Sequence, residues 1–323
     1  MVEIATPPPA EGVRLDWFAI PAEVRRAVEQ QVGSTVATAI SQPTGFSPGV
    51  AARLRLADGR QLFVKAAGPV PNPGTPTSHR REVRIVSALP VNAPVPRLLG
   101  SYEEDGWVVL LFEEVAGSHP AQPWRLAELD RVLYALDELG AVLTPSPLLP
   151  PLVDTASEEF ATRICGWQQL CAEEPSPLAR LDAWSQRHLA ALAELESLAP
   201  AAVAGETLLH FDIRADNLLL TDERVWFVDW PLACVGAAWV DLAFFAPSVA
   251  MQGGPSPEEF LMRAAAGRAA DADAITAGVV AMAGFFTHRS RQPAPPGLPT
   301  LRAFQAAQGV VARQWVAQRM GWS

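Results

Sequence analysis

The stretch HFDIRADN, residues 210–217, holds side chains whose types and spacing suit a specific chemistry. It follows the pattern H-x-D-x-x-x-x-N, and Asp229 comes 12 residues later at the end of the apolar run VWFV. A carboxylate such as Asp212 can take the proton of an attacking hydroxyl group. Asn217 and Asp229 offer the oxygen ligands that hold magnesium against nucleotide phosphates. This set of residues predicts phosphoryl transfer.

Two residues near Asp212 have candidate supporting roles. We expect His210 to brace the loop rather than to move protons. Arg214 is a fixed cation two residues after the candidate base, so it could donate to the transferred phosphoryl group. An ordinary surface arginine fits the same position, and that alternative stays open here.

Lys65 is the only lysine among the 25 basic residues of the chain. It lies in QLFVKAA, an apolar run that reads as a strand, and Glu82 follows 17 residues later in a helical segment. In a kinase-type small lobe, a strand lysine binds the α- and β-phosphates and a helix glutamate holds it. A compact ammonium group tolerates two approaching phosphates better than a planar guanidinium group does. We therefore expect Lys65 and Glu82 to position a nucleotide, with chance retention of one lysine as the alternative.

A glycine-containing loop, PTGFSPG, precedes the second predicted strand at residues 43–49. Glycines at 45 and 49 would let backbone N–H groups approach phosphates. Gly45, Phe46 and Ser47 are therefore candidate nucleotide-binding residues. The loop matches neither common phosphate-binding glycine motif, and a plain hairpin loop fits it as well.

The segment LLFEEVAG, residues 110–117, is the expected connector between two lobes. The carbonyl of Glu113 and the N–H of Val115 could pair with a purine edge, while Phe112 lines the purine pocket. An edge strand that runs into a helix is the alternative interpretation.

The elements that must position these residues fall into two groups. Residues 1–112 predict an N-lobe with a leader helix, a five-stranded antiparallel sheet and one further helix, because alternating runs flank D-G turns. Residues 113–119 form the expected hinge. Residues 120–323 predict a mainly helical C-lobe, with a catalytic loop at 208–230 and an acceptor pocket. The fold class is therefore α+β, in two lobes.

Composition narrows the possible partners. The chain has 323 residues, a formal net charge of −10 and 49% hydrophobic residues, which suffices for a large core. Nucleic acid would be repelled, whereas a cationic small molecule would be attracted. No secretion signal or membrane span is evident, and three cysteines are too few for a disulfide framework, so we expect a cytoplasmic protein.

In order, the motifs resemble those of the aminoglycoside phosphotransferase family, small-molecule kinases with the protein-kinase-like fold. HFDIRADNLLL, VWFVDW and VGAAWVDLAFF correspond to its catalytic, metal-binding and bracing blocks. The resemblance implies that Asp212 is the base, that Asn217 and Asp229 bind magnesium, and that ATP or GTP is the donor. It also implies that Asp241 is a buried residue that braces the catalytic loop.

The chain departs from the family pattern at several positions. Phe211 replaces the usual glycine, and Ala215 and Asp216 replace a common proline–glycine pair. Trp-Pro follows Asp229 where protein kinases have Phe-Gly, and no A-P-E segment is present. A protein kinase is thus disfavoured, and the long helical insert before His210 fits an acceptor pocket.

We accordingly expect a kinase that phosphorylates a hydroxyl group of a cationic or polyhydroxylated small molecule. We expect the acceptor to be an aminoglycoside-like antibiotic, an amino sugar or another polar natural product. Carboxylates in the insert (Glu158, Glu159, Glu173 and Glu174) are candidates to bind its ammonium groups, and a solvated helix face explains the same charges equally well. A metabolic kinase for choline, homoserine or a sugar is the first alternative. An inactive kinase-like nucleotide-binding regulator is the second, from another class.

Overall fold

The first part of the chain forms one antiparallel sheet. The computed structural model describes residues 8–173 and 180–323, so the first seven residues of the predicted N-lobe lie outside it. The strands of the sheet are Val36–Ser41 (β1), Val50–Leu56 (β2), Gln61–Ala67 (β3), Leu98–Glu104 (β4) and Trp107–Glu113 (β5). They pair in the order β1-β2-β3-β5-β4.

Two Asp-Gly turns set the register of this sheet. Between β4 and β5, Asp105 and Gly106 both have positive φ, at 51° and 80°, as a two-residue hairpin of type I′ requires. Between β2 and β3, Gly59 has a φ of 89°. The resulting pairing places Lys65 opposite Leu110 of the neighbouring strand, in the middle of the sheet.

Two helices complete the N-lobe, Ala22–Val32 (α1) and Thr75–Val86 (α2). The helical spacing of DWFAIPAEVRRAVEQQVG, residues 16–33, predicts one leader helix, but that helix is interrupted because Pro21 keeps the preceding Ile20 extended. A short 3-10 helix, Trp17–Ala19, precedes the break. The segment HRREVRIVSAL predicts a helix that starts at His79, but α2 begins four residues earlier, at Thr75. Pro76 lies in its first turn, where proline is well tolerated.

The second part of the chain is mainly helical. Its helices are Leu126–Val142 (α3), Ala156–Thr162 (α4), Gly166–Ala172 (α5), Ala183–Glu196 (α6), Ala199–Ala202 (α7), Trp239–Met251 (α8), Pro257–Arg263 (α9), Ala265–Ala269 (α10), Ala272–Arg289 (α11) and Leu301–Met320 (α12). Its short strands are Asp154–Thr155 (β6), Thr207–Leu209 (β7), Leu218–Leu220 (β8), Val225–Phe227 (β9) and Cys234–Gly236 (β10).

The short strands frame the predicted catalytic loop. Strands β8 and β9 pair with each other, while β10 lies between β6 and β7. The loop after β7 and the residues that follow β9 lie close together, since His210 contacts the Val228 oxygen at 3.0 Å, and Asp229 reaches Lys65 of the N-lobe sheet. A large apolar cluster fills the helical lobe, and a smaller one packs α1 against the N-lobe sheet. Within residues 8–173 and 180–323, no helix is both long and apolar enough to cross a membrane.

Helices α5 and α11 approach each other through glycines. A Cβ atom on Gly166 would lie 2.0 Å from the backbone oxygen of Gly284, so only glycine fits there. The indole Nε1 of Trp167 donates to the Val280 oxygen at 2.9 Å and ties the same two helices together. This contact matters for function because the residues after Gly284 line a cavity described below.

Gly166→Ala should destabilise the protein by roughly 1–3 kcal/mol, because the added methyl group must push α5 away from α11. Gly140→Ala in α3 is the matched control, since a Cβ atom there meets no neighbour within 4 Å. Alanine favours a helix interior, so the control should be neutral or stabilising by up to about 1 kcal/mol. Denaturant unfolding of both variants checks this. Equal effects would show that the helix contact is not tight.

Candidate active site

A buried ion cluster connects the two lobes. The Lys65 ammonium of β3 contacts both carboxylate oxygens of Glu82 in α2 at 2.8 Å, and Oδ1 of Asp229 at 2.7 Å. Asp229 follows β9 in the helical lobe. The structure thus brings together three residues that are far apart in sequence. They lie at the bottom of the cleft between the N-lobe and the helical lobe.

The charges in this cluster depend on one another. Burial alone would lower the pKa of Lys65, but Asp229 and Glu82 outweigh it and raise that pKa above its usual value. Burial likewise acts to raise the pKa of Asp229, and the Lys65 ammonium holds it below the ordinary range. For Glu82 burial dominates, so its pKa is raised. The cleft floor therefore holds a charged ammonium beside an ionised Asp229 carboxylate.

The catalytic loop is held by its own side chains. Asn217 donates from Nδ2 to the backbone oxygen of Asp212 at 2.8 Å and to its Oδ2 at 3.3 Å. Arg214 contacts Oδ1 of Asp212 and makes two bonds to Asp216, at 3.0 and 2.9 Å. The Arg214 guanidinium also lies 5.2 Å from the centre of the Phe46 ring. Burial raises the pKa of Asp212 to about 6.

Two residues, Asp241 and His210, brace the backbone of the loop. The two oxygens of Asp241 accept the backbone N–H groups of His210 and Phe211, each at 2.8 Å. His210 interacts through Nε2 with the Val228 oxygen at 3.0 Å and accepts the Asp212 N–H at Nδ1. Burial lowers the pKa of His210 to about 4, so the ring is neutral near pH 7. These contacts are those of bracing residues.

The backbone conformation of Phe211 shows why glycine is usual at this position and what the departure from it costs. Its φ is +64°, in the left-handed region where the usual glycine would be unstrained. The Phe211 ring packs 5.2 Å from Phe244 and 6.3 Å from Phe160, centre to centre. Aromatic packing in the helical lobe thus offsets the backbone strain that a side chain at this position introduces.

The glycine-containing loop is held down over the cleft by Arg14, a residue that the sequence analysis missed. Its guanidinium group donates to backbone oxygens of Gln42, Thr44 and Ser47. Arg14 lies in the leader, about 30 residues before the loop, and no local pattern connects the two segments. Ser47 in turn donates to Oδ2 of Asp229 at 3.3 Å.

Two cavities meet at Ser47 and Asp229, which line both. The first, about 380 Å³, is lined by most of the predicted nucleotide-binding residues: Gly45, Ser47, Lys65, Glu82, Phe112, Glu113 and Val115, with Asn217 and Asp229. The Val115 N–H donates to no acceptor among the described residues. Phe46 is the exception, because it turns away from the first cavity and lines the second.

The second cavity, about 390 Å³, lies on the other side of Asp229 and contains Asp212 and Arg214. Three of the insert carboxylates named as candidates to bind ammonium groups, Glu158, Glu159 and Glu173, do not line it. Glu158 caps α4, Glu159 pairs with Arg163, and Glu173 lies beside His288. Glu174 lies outside the described residues.

Several solved structures with the same architecture are those of small-molecule kinases and phosphotransferases. Aminoglycoside phosphotransferase APH(4)-Ia bound to AMP-PNP and hygromycin B has a TM-score of 0.59 and 16% identity, over 91% of this chain and 98% of that chain. A choline/ethanolamine kinase family protein from Mesorhizobium loti has the same score and identity, over 93% and 97%. APH(3'')-Id from Streptomyces rimosus, bound to ADP and streptomycin, has a TM-score of 0.52 and 17% identity, over 82% and 99%.

At these identities the structural likeness establishes the fold, which confirms the predicted two-lobed, protein-kinase-like α+β class. Residues 45–276 match the APH phosphotransferase enzyme family, and this span is most of the chain. The chain therefore belongs to that family, and it is a phosphotransferase with a hydroxyl group as acceptor. Comparison of the sequence with curated proteins gives no match.

Asp241→Asn should loosen the catalytic loop, because an amide NH₂ group would face one of two backbone N–H donors. We expect a loss of about 1–3 kcal/mol in stability, as for an unsatisfied buried donor. Amide hydrogen exchange should accelerate at His210 and Phe211. Asp222→Asn, in the exposed turn between β8 and β9, is the matched control. Unchanged exchange at both amides would contradict the bracing role of Asp241.

Proposed function

We propose that this enzyme transfers the γ-phosphoryl group of ATP or GTP to a hydroxyl group of a small molecule. In this proposal Asp212 is the catalytic base, Lys65 and Glu82 position the phosphates, and Asn217 and Asp229 bind magnesium. The first cavity takes the nucleotide, and the second takes the acceptor.

The observation that carries the proposal is the junction of the two cavities. The nucleotide-side cavity ends at Ser47 and Asp229, and the Asp212 carboxylate lies in the second cavity just beyond that boundary. A γ-phosphoryl group at the junction would have a cation on one side and a proton acceptor on the other. In-line transfer to a hydroxyl group requires this arrangement.

Asp212 is oriented before any substrate arrives. Arg214 contacts one of its oxygens and Asn217 the other, so the carboxylate cannot turn freely. An acceptor hydroxyl that enters the second cavity would donate its hydrogen bond to Asp212, which takes the proton as the oxygen attacks phosphorus. Arg214 contacts the carboxylates of Asp212 and Asp216, so we assign it to the positioning of Asp212. Because Arg214 also lines the second cavity, we assign it a second role in the stabilisation of charge on the phosphoryl oxygens.

The residues around the junction suit magnesium. Because Nδ2 of Asn217 donates to the backbone oxygen of Asp212, its amide oxygen is the atom left for a ligand role. Asp229 adds a carboxylate, and hard oxygen donors of this kind together with phosphate oxygens are what Mg²⁺ prefers. When bound, the ion would neutralise phosphate charge. In the structure, Oδ1 of Asp229 also contacts the Lys65 ammonium.

The acceptor candidates raised by the sequence stay within this proposal. Structural neighbours carry hygromycin B or streptomycin, and another belongs to a choline/ethanolamine kinase family, so drug-like and metabolic acceptors are both represented among similar folds. An inactive nucleotide-binding regulator is the competing class. The presence of the lysine, the base and both metal positions in one cleft favours an active enzyme.

Asp212→Asn should lower kcat by about 10²–10⁴ while the KM for nucleotide changes little, because the base acts only on the acceptor hydroxyl. Chelation of magnesium should abolish turnover of the unmodified protein. A coupled assay of ADP or GDP release, with acceptors drawn from antibiotics, amino sugars and amino alcohols, measures both effects. Asp222→Asn is the control. Full activity in Asp212→Asn would refute the assignment of the base.

Lys65→Met should both destabilise the protein and stop turnover, since it leaves Glu82 and Asp229 buried without a cation. Removal of one partner from such a cluster costs about 3–5 kcal/mol. The double variant with Glu82→Gln should regain part of the stability but none of the activity, if Lys65 also binds phosphate. Thermal unfolding and nucleotide titration separate the two roles. Recovery of activity in the double variant would exclude the phosphate-binding role.

A further inference from the structure

Phenylalanine rings make up much of the second cavity. One group comes from the catalytic loop and from helices α8 and α11, and it packs edge to face or tilted at centre distances of 5.2 to 6.2 Å. The other comes from the glycine-containing loop and α12, whose two rings are 5.3 Å apart. The six rings that line the cavity are Phe46, Phe211, Phe244, Phe285, Phe286 and Phe304.

The charged groups in the same cavity are largely compensated. Among the described residues, Asp212 and Asp229 are its only carboxylates, and Arg163 and Arg214 are its only cations. Asp229 is paired with Lys65, and Arg163 with Glu159. Arg214 is shared between Asp212 and Asp216.

The remaining polar lining is neutral. It consists of hydroxyl and amide side chains from the N-lobe and the start of α12, namely Ser47, Asn72, Thr75, Ser78, Gln305 and Gln308. Such groups form hydrogen bonds with hydroxyl and carbonyl oxygens without a requirement for charge. The cavity thus combines an aromatic wall, a neutral polar edge and the carboxylate of Asp212, the proposed base.

We propose that the acceptor is an uncharged hydroxylated molecule with a broad apolar or aromatic face, rather than a polycationic aminoglycoside. This inference rests on the proposed function, because it takes the cavity around Asp212 as the acceptor site. The apolar face lies against the rings of α8 and α11, and the hydroxyl group faces Asp212.

The physical reason is the difference in free energy between ammonium groups and apolar surface when each leaves water and enters this cavity. Ammonium groups that enter this cavity lose water, and among the described residues they meet no carboxylate that lacks a cationic partner, which opposes binding. An apolar face instead gains affinity as it displaces water from the phenylalanine rings. The overall charge of −10 attracts cations to the surface, but the described residues that line this cavity offer them no unpaired carboxylate.

A matched series of β-D-glucosides tests the proposal, since the sugar hydroxyl groups stay constant while the apolar group grows. The dissociation constants of methyl, phenyl and 2-naphthyl β-D-glucoside are measured by calorimetry, with magnesium and a non-hydrolysable ATP analogue present. We expect affinity to rise about tenfold or more from methyl to naphthyl. Streptomycin and hygromycin B should bind more weakly than the naphthyl compound. A flat series, no binding at all, or tighter binding of the cationic antibiotics would overturn the proposal.

Variants of Phe285, a partly exposed ring of the cavity wall, test whether the apolar group of the ligand binds at this part of the second cavity. Phe285→Ala should reduce the ratio of naphthyl to methyl affinity by about tenfold. Phe285→Glu should reduce it further and improve streptomycin binding, because it adds the missing carboxylate. The ratio is an internal control for folding, and Phe18→Ala, an exposed ring remote from the cavity, should leave it unchanged. An unchanged ratio in both Phe285 variants would remove Phe285 and its neighbours from the acceptor site.

Failure of the proposed acceptor class can be told apart from failure of the proposed kinase function. If magnesium-dependent nucleotide turnover is absent but the affinity series holds, the kinase assignment fails and the cavity still selects apolar ligands. If turnover depends on Asp212 but cationic antibiotics are the better substrates by kcat/KM, the kinase assignment stands and the acceptor class proposed here is wrong.

Discussion

The arrangement of the cleft depends on one buried ammonium group. Lys65 contacts Glu82 and Asp229, and so connects the N-lobe sheet, helix α2 and the segment after β9. Each of these charges would be costly in an apolar interior alone, and together they are stabilised by short contacts. The two lobes are therefore held in a defined relation by the same side chains that we propose to bind phosphate and metal. The cluster of Lys65, Glu82 and Asp229 thus serves both the packing of the two lobes and the proposed chemistry.

Both ends of the described chain contribute to the closure of this cleft. The leader hydrogen-bonds to the segment before α12, with Val13 donating to Gly297 at 2.8 Å, and Arg14 holds the glycine-containing loop. The loop then places Phe46 against Phe304 of α12 and over Arg214. As a result the loop belongs to both proposed sites, since Ser47 faces the junction while Phe46 forms part of the acceptor wall.

The substitution of Phe211 for the usual glycine links the catalytic loop to the character of the acceptor cavity. A side chain in a left-handed backbone conformation persists only where its surroundings stabilise it. Here those surroundings are the rings of Phe160 and Phe244, and Phe244 also lines the cavity. The departure from the family pattern is thus part of the aromatic wall, and it is consistent with an acceptor unlike the cationic antibiotics bound by some structural neighbours.

The sequence alone predicted the fold class, the five antiparallel strands of the N-lobe and the spacing of the candidate catalytic residues. These follow from local signals, namely alternating runs, Asp-Gly turns and a motif confined to 20 residues. Only the tertiary structure decided that Arg14 reaches the glycine-containing loop, that Phe46 turns toward the second cavity, and that the insert's described carboxylates are used elsewhere. Each of these depends on contacts between segments distant in the chain, where packing and charge pairing, rather than local pattern, select the partner.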